Sequence, residues 1–194
     1  MNFKKEIKDW SIYFAAILMA CLIHEIGHCI PAWINGIVAV PTPAKQYVPP
    51  GIPITIQQGI SFGGLAGTIL FSIIILISGL IAKERLNWAI VAGALATPGF
   101  YTFRFITMGR GHDATEFQEA QNFMGFSYSG HLLDWIFLSI SVLGILIWIY
   151  TCRPGYKVAG RLSIGIILTL VFIIGLQTIN NLIFDPILQK FNLS

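Results

Sequence analysis

Two histidines stand four residues apart in His24-Glu25-Ile26-Gly27-His28, with a glutamate directly after the first. On an α-helix, positions i and i+4 share a face, so both imidazoles can reach one metal ion. Glu25 then lies beside that ion, placed to take a proton from a metal-bound water. Two neutral imidazoles and a carboxylate suit one zinc ion per chain, with a fourth position left open for water, although iron or cobalt accept similar donors. At the chain's own His and Glu frequencies, chance yields on the order of 0.002 such matches. The motif is embedded in an apolar run from about Trp10 to Trp33. Ionisable groups at that depth cost about 2.5–3.5 kcal/mol each by insertion scales, which makes them functional candidates.

A third ligand must come from elsewhere in the chain. Asp113 is the first candidate, with His112 and Glu116 as alternatives, all in Gly111-His112-Asp113-Ala114-Thr115-Glu116. Asp113 and Glu116 also fit the Asp-x-x-Glu form of a capping box, in which both would simply open a helix. Other intramembrane polar groups fall at matching depth: Arg104, Gln177, Asn180 and Asn181. The last three are candidate substrate-binding residues, able to hold a peptide backbone or an oxyanion. Helix–helix hydrogen bonding accounts for them equally well. Arg104 reads as a side chain snorkelling to the surface, and His131 and Asp134 as interfacial residues opening a later span.

These residues need a membrane fold to position them. Of 194 residues, 55% are hydrophobic and 11% charged, with a mean hydropathy of +0.74. Soluble domains carry about 25% charged residues, so a soluble enzyme is excluded. The net charge of +3 is too small to point to nucleic acid. The expected fold is an all-α polytopic membrane protein forming a single domain over residues 1–194. Five spans are expected: Trp10–Trp33, Ile60–Ala82, Leu86–Met108, His131–Cys152 and Leu162–Phe184. Lys4, Lys5, Lys8, Lys83, Arg85, Arg153, Lys157 and Arg161 then share one side, which makes the N-terminus cytoplasmic. The motif falls nearer the outer face, and Pro31 one turn later would bend the helix there. Short loops and the inside charge bias suit a prokaryotic cell membrane.

Two pieces do not span. Pro41, Pro43, Pro49, Pro50 and Pro53 exclude a helix from Gly36 to Gly59, so Ile37–Val40 and Ile54–Gln57 are expected as extended pieces of an irregular hairpin. From Asp113 onward, Phe117, Ala120 and Met124 recur at helical spacing, as in a short interfacial helix. Cys21, Cys29 and Cys152 make no CxxC pair and read as free thiols. The basic N-terminus could mimic a signal peptide, but the apolar run continues past Cys21 and reads as a retained helix.

With its HExxH in a membrane helix, a Gly/Pro-rich extended piece after it, and Gly63-Gly64 opening the next span, the first 115 or so residues resemble the site-2 protease family of intramembrane zinc metallopeptidases. In that family a distant Asp, usually followed by Gly, completes the zinc site. The nearest equivalent here is Asp113, which is followed by Ala114. The resemblance implies hydrolysis of a peptide bond within or next to a membrane-spanning segment of another protein. Glu25 would activate the water, and an extended piece would pair with the unwound substrate. A membrane zinc hydrolase acting on a lipid or small molecule, and a non-catalytic metal-binding membrane protein, are the competing readings.

Overall fold

The computed structural model describes residues 3–81, 95, 97–99, 102, 106, 114–125, 132–152 and 156–193. Helix α1 runs Phe3–Ile34 with Pro31 inside it. Its end follows from Gly36, which at φ +70° adopts the left-handed conformation that closes a helix. There the Gly36 N–H donates to the Trp33 carbonyl at 3.0 Å and the Ile37 N–H to the Ala32 carbonyl at 2.9 Å. The Trp33 indole then donates to the Ala39 carbonyl at 2.9 Å and folds the chain back.

A small antiparallel hairpin follows, β1 (Val40–Pro41) with β2 (Gln46–Tyr47), in the register Val40 opposite Tyr47. Thr42 closes its loop: its N–H donates to the Lys45 carbonyl at 3.0 Å and its Oγ1 accepts from the Lys45 N–H at 3.2 Å. A hairpin after α1 therefore forms, but its first strand shares only Val40 with the expected Ile37–Val40, and its second is not the expected one. Ile54–Gln57 is the first turn of helix α2, Ile54–Ile81. Helix α2 thus begins before the expected Ile60. All five prolines precede the first helical residue, and Pro53 supplies the carbonyl that accepts from Ile56 at 2.9 Å and Gln57 at 3.0 Å. A proline at the entrance to a helix gives up an N–H that has no helical partner anyway.

Helix α3 (Ala114–Phe123) is short and polar, α4 spans Leu132–Cys152, and α5 spans Tyr156–Ile179. The last helix continues through a π-turn at Asn180–Phe184, then α6 (Asp185–Leu188) and a 3-10 turn at Gln189–Phe191. Among the described residues, three stretches are long and apolar enough to cross a membrane: Glu6–Ile34, Ile54–Ser78 and Ser163–Phe191. Leu132–Ile147 is a shorter apolar helix. The fold is mostly helical and compatible with a membrane protein. Exposed Ile73, Ile77, Leu146, Ile166 and Ile167 on these helices are what a lipid-facing surface needs. Apart from isolated positions, the expected third span lies outside the described residues.

Helices α1 and α2 pack backbone to backbone. A Cβ at Gly27 would overlap the Gly63 carbonyl, and one at Gly63 the Gly27 carbonyl. Small residues permit this approach, which replaces the missing hydrophobic drive between helices in lipid. Among the described residues, three apolar clusters complete the core. Cys29, Ala32, Ala39 and Ile60 lie under the hairpin. Leu65, Ala120, Leu133 and Phe137 join α2, α3 and α4, and Tyr13 and Ile17 meet Phe172 and Ile173 of α5.

Candidate metal centre

Helix α1 carries His24 and His28 one turn apart, and both are buried against α2, with 8% and 3% of their surface exposed. Their Nδ1 atoms are fixed by α2. His28 Nδ1 lies 2.7 Å from the Ile60 carbonyl, and His24 Nδ1 lies 3.0 Å from the Gly64 carbonyl and 2.9 Å from Thr68 Oγ1. A carbonyl can only accept, so each Nδ1 carries the proton and donates it. Each Nε2 is then left with its lone pair, and this tautomer is the one a metal requires. Gly64 provides the clearance, since a Cβ there would overlap the His28 ring.

Helix α3 delivers the third group. Glu116 Oε1 lies 3.4 Å from His28 Nε2, and the two Nε2 atoms are 3.1 Å apart. Between two neutral rings protonated at Nδ1, that 3.1 Å contact joins two acceptors and is no hydrogen bond. Together with the carboxylate it calls for a cation. One ligand atom from each of His24, His28 and Glu116 lies within 4.8 Å of the others. Tetrahedral zinc with bonds of about 2.0–2.1 Å sets neighbouring ligand atoms about 3.3–3.4 Å apart. The donor set and its spacing therefore fit a metal ion, although they do not select zinc over its neighbours in the series. Of the expected third ligands, Glu116 is brought to the histidines; Asp113 and His112 lie outside the described residues, as do Arg104 and His131. Asp134 is buried near the start of α4.

Glu25 is 7% exposed, and its Oε2 atom has no hydrogen-bond partner among the described residues. Gln46 and Tyr47 of the hairpin lie close enough to this carboxylate to interact with it electrostatically, so the hairpin sits against the motif. The hairpin is fastened in turn to the last helix. Thr42 Oγ1 donates to Asn180 Oδ1 at 2.5 Å, Asn180 Nδ2 donates to the Tyr47 hydroxyl at 2.5 Å, and that hydroxyl donates to Asp185 Oδ1 at 2.5 Å. Asn180 is thus buried and engaged with the hairpin, whereas Gln177 and Asn181 are exposed.

Several of these contributors escape a reading of the sequence. Thr68 and Ser61 look like ordinary hydroxyls in an apolar helix, and Tyr47 like a loop residue. The only sequence signal among them is that Thr68 shares a face of α2 with Ile60 and Gly64. Compared with protein-family models, with curated proteins and with solved structures, the chain matches none at a significant level.

Proposed function

We propose that the chain is an intramembrane zinc metalloprotease of the site-2 protease kind, cutting a peptide bond within or next to a membrane-spanning segment of another protein. The observation that carries this reading is the convergence of His24, His28 and Glu116, with Glu25, next to His24 in sequence, also buried. A pure binding site has no need of a carboxylate between its two imidazole ligands. A metal held by these residues would supply Lewis acidity to the scissile carbonyl and lower the pKa of a water. Glu25 accepts the proton of the attacking water and returns it to the leaving amine. Thr68 and the carbonyls of Ile60 and Gly64 hold the imidazoles in the tautomer that leaves Nε2 free. A helical substrate must unwind to present its carbonyl, and the two-stranded hairpin beside Glu25 offers an edge with which the extended segment pairs.

The arrangement of spans belongs to the same reading: five helices, the N-terminus cytoplasmic, the site nearer the outer face of a prokaryotic membrane. Asp113, the sequence's first candidate for the third ligand, immediately precedes α3 in sequence; in this reading Glu116 takes that place. Gln177 and Asn181 hold substrate as it approaches. One feature favours the lipid alternative. An apolar groove of about 630 Å³ between α1 and α2 is lined by Gly27, Ile30, Pro31, Phe62, Gly63 and Phe123. Gly27 precedes a candidate ligand, so the groove brings an acyl chain close to the site.

Purified chain in liposomes, offered membrane-spanning peptides and, separately, bilayer phospholipid, tests both. Metal-dependent peptide cleavage that is lost in Glu25→Gln supports the protease. Lipid hydrolysis with peptides untouched transfers the mechanism to the alternative, and neither activity, with metal bound, leaves a binding protein.

A further inference from the structure

We propose that Glu119 is a positioning residue for the metal centre: tied to α2 by Ser61 and Gln57, it fixes the turn of α3 that presents Glu116 to His28. The inference rests on reading His24, His28 and Glu116 as ligands. Glu116 and Glu119 are three residues apart on α3, so they lie on neighbouring turns of one face. Glu116 reaches His28 at 3.4 Å. Glu119 turns to α2, where its Oε2 accepts from Ser61 Oγ at 2.5 Å and its Oε1 from Gln57 Nε2 at 2.8 Å. Both oxygens are engaged, which sets Glu119 apart from the ligands.

The decisive relationship lies in α2. Ile60 and Ser61 are consecutive. The Ile60 carbonyl takes the His28 Nδ1 proton at 2.7 Å, while the Ser61 hydroxyl takes hold of Glu119. One peptide unit of α2 therefore registers the histidine-bearing helix and the glutamate-bearing helix against each other. Helix α3 has only ten residues; it meets α2 through buried Ala120 in the cluster with Leu65 and through Phe123 stacked on Phe62, and Glu119 is the polar tie nearest Glu116. A ligand must be held within about 0.5 Å of its working position, and groups that orient ligands change metal affinity by about 10–100-fold when removed.

The test titrates the full-length chain in detergent with Co²⁺, read by visible absorption and by competition with a chelator. Glu119→Ala is expected to weaken Co²⁺ binding by about 10–100-fold, with the metal-free protein still folded. Glu119→Gln, which keeps one acceptor, is expected to lose less, and secures the result should the alanine variant fold poorly. In a Glu116→Ala background, Glu119→Ala is expected to weaken binding no further. This readout separates positioning of Glu116 from general support of the fold. Wild-type affinity in Glu119→Ala, or an equal further loss without Glu116, would overturn the inference while leaving the metal centre intact. Failure of the wild-type chain itself to bind Co²⁺ would overturn the metal-centre reading and this inference with it.

Discussion

His28 and Glu116, on helices far apart in sequence, meet through Nε2 and Oε1 at 3.4 Å. The contact joins α1 to α3 across α2, and α2 is the element that sets it. Its carbonyls orient both histidines, its glycines let α1 come close, and Ser61 holds α3.

Glu25 has a role separable from metal binding. Replacing it with Gln preserves the shape of the site but removes the group that carries protons. Hydrolysis is expected to fall by about 10²–10⁴-fold, while metal content per chain, measured by atomic emission, stays at the wild-type value.

Gly64 is expected to be intolerant of the smallest side chain. Alanine there puts a methyl group into the His28 ring, and the imidazole must leave its bond to Ile60. Metal affinity is expected to drop by about 10–100-fold. Gly63→Ala instead presses on the Gly27 backbone, and its expected signature is about 1–3 kcal/mol of lost stability, read by thermal unfolding.

The fastening of the hairpin can be loosened without touching the motif. Tyr47→Phe leaves Asn180 Nδ2 and Asp185 Oδ1 without the hydroxyl they share. That is expected to lower the local opening free energy by about 1–3 kcal/mol, seen as faster amide exchange across residues 40–47. Burial and the Asp185 carboxylate push the Tyr47 phenol up to about 12. The folded state therefore holds this proton more tightly than the unfolded one. The stabilisation is complete below about pH 10 and is lost as the pH rises toward 12. In Tyr47→Phe that alkaline loss should be absent from the same exchange measurement.

The motif, the two apolar helices around it and the last apolar helix were legible because each is local: a fixed i, i+4 spacing or a long apolar run. The start of α2 was misjudged because prolines were counted rather than placed; Pro53 begins a helix as readily as it breaks one. The third ligand was left among three residues, since sequence spacing does not say which side of a short helix faces another. The partners of the histidines and of the hairpin were not legible at all. Backbone carbonyls carry no sequence signal, and Thr42, Tyr47 and Asn180 come together only when the hairpin meets the last helix.

The central claim is that His24, His28 and Glu116 hold one metal ion. It is tested most directly by metal content of the detergent-purified chain beside His28→Ala and Glu116→Ala, with Asp113→Ala in parallel. The expected result is about one zinc per wild-type chain, with binding lost in His28→Ala and strongly weakened in Glu116→Ala. No metal in the wild-type chain after zinc is supplied at neutral pH, or full binding in Glu116→Ala, would contradict the account.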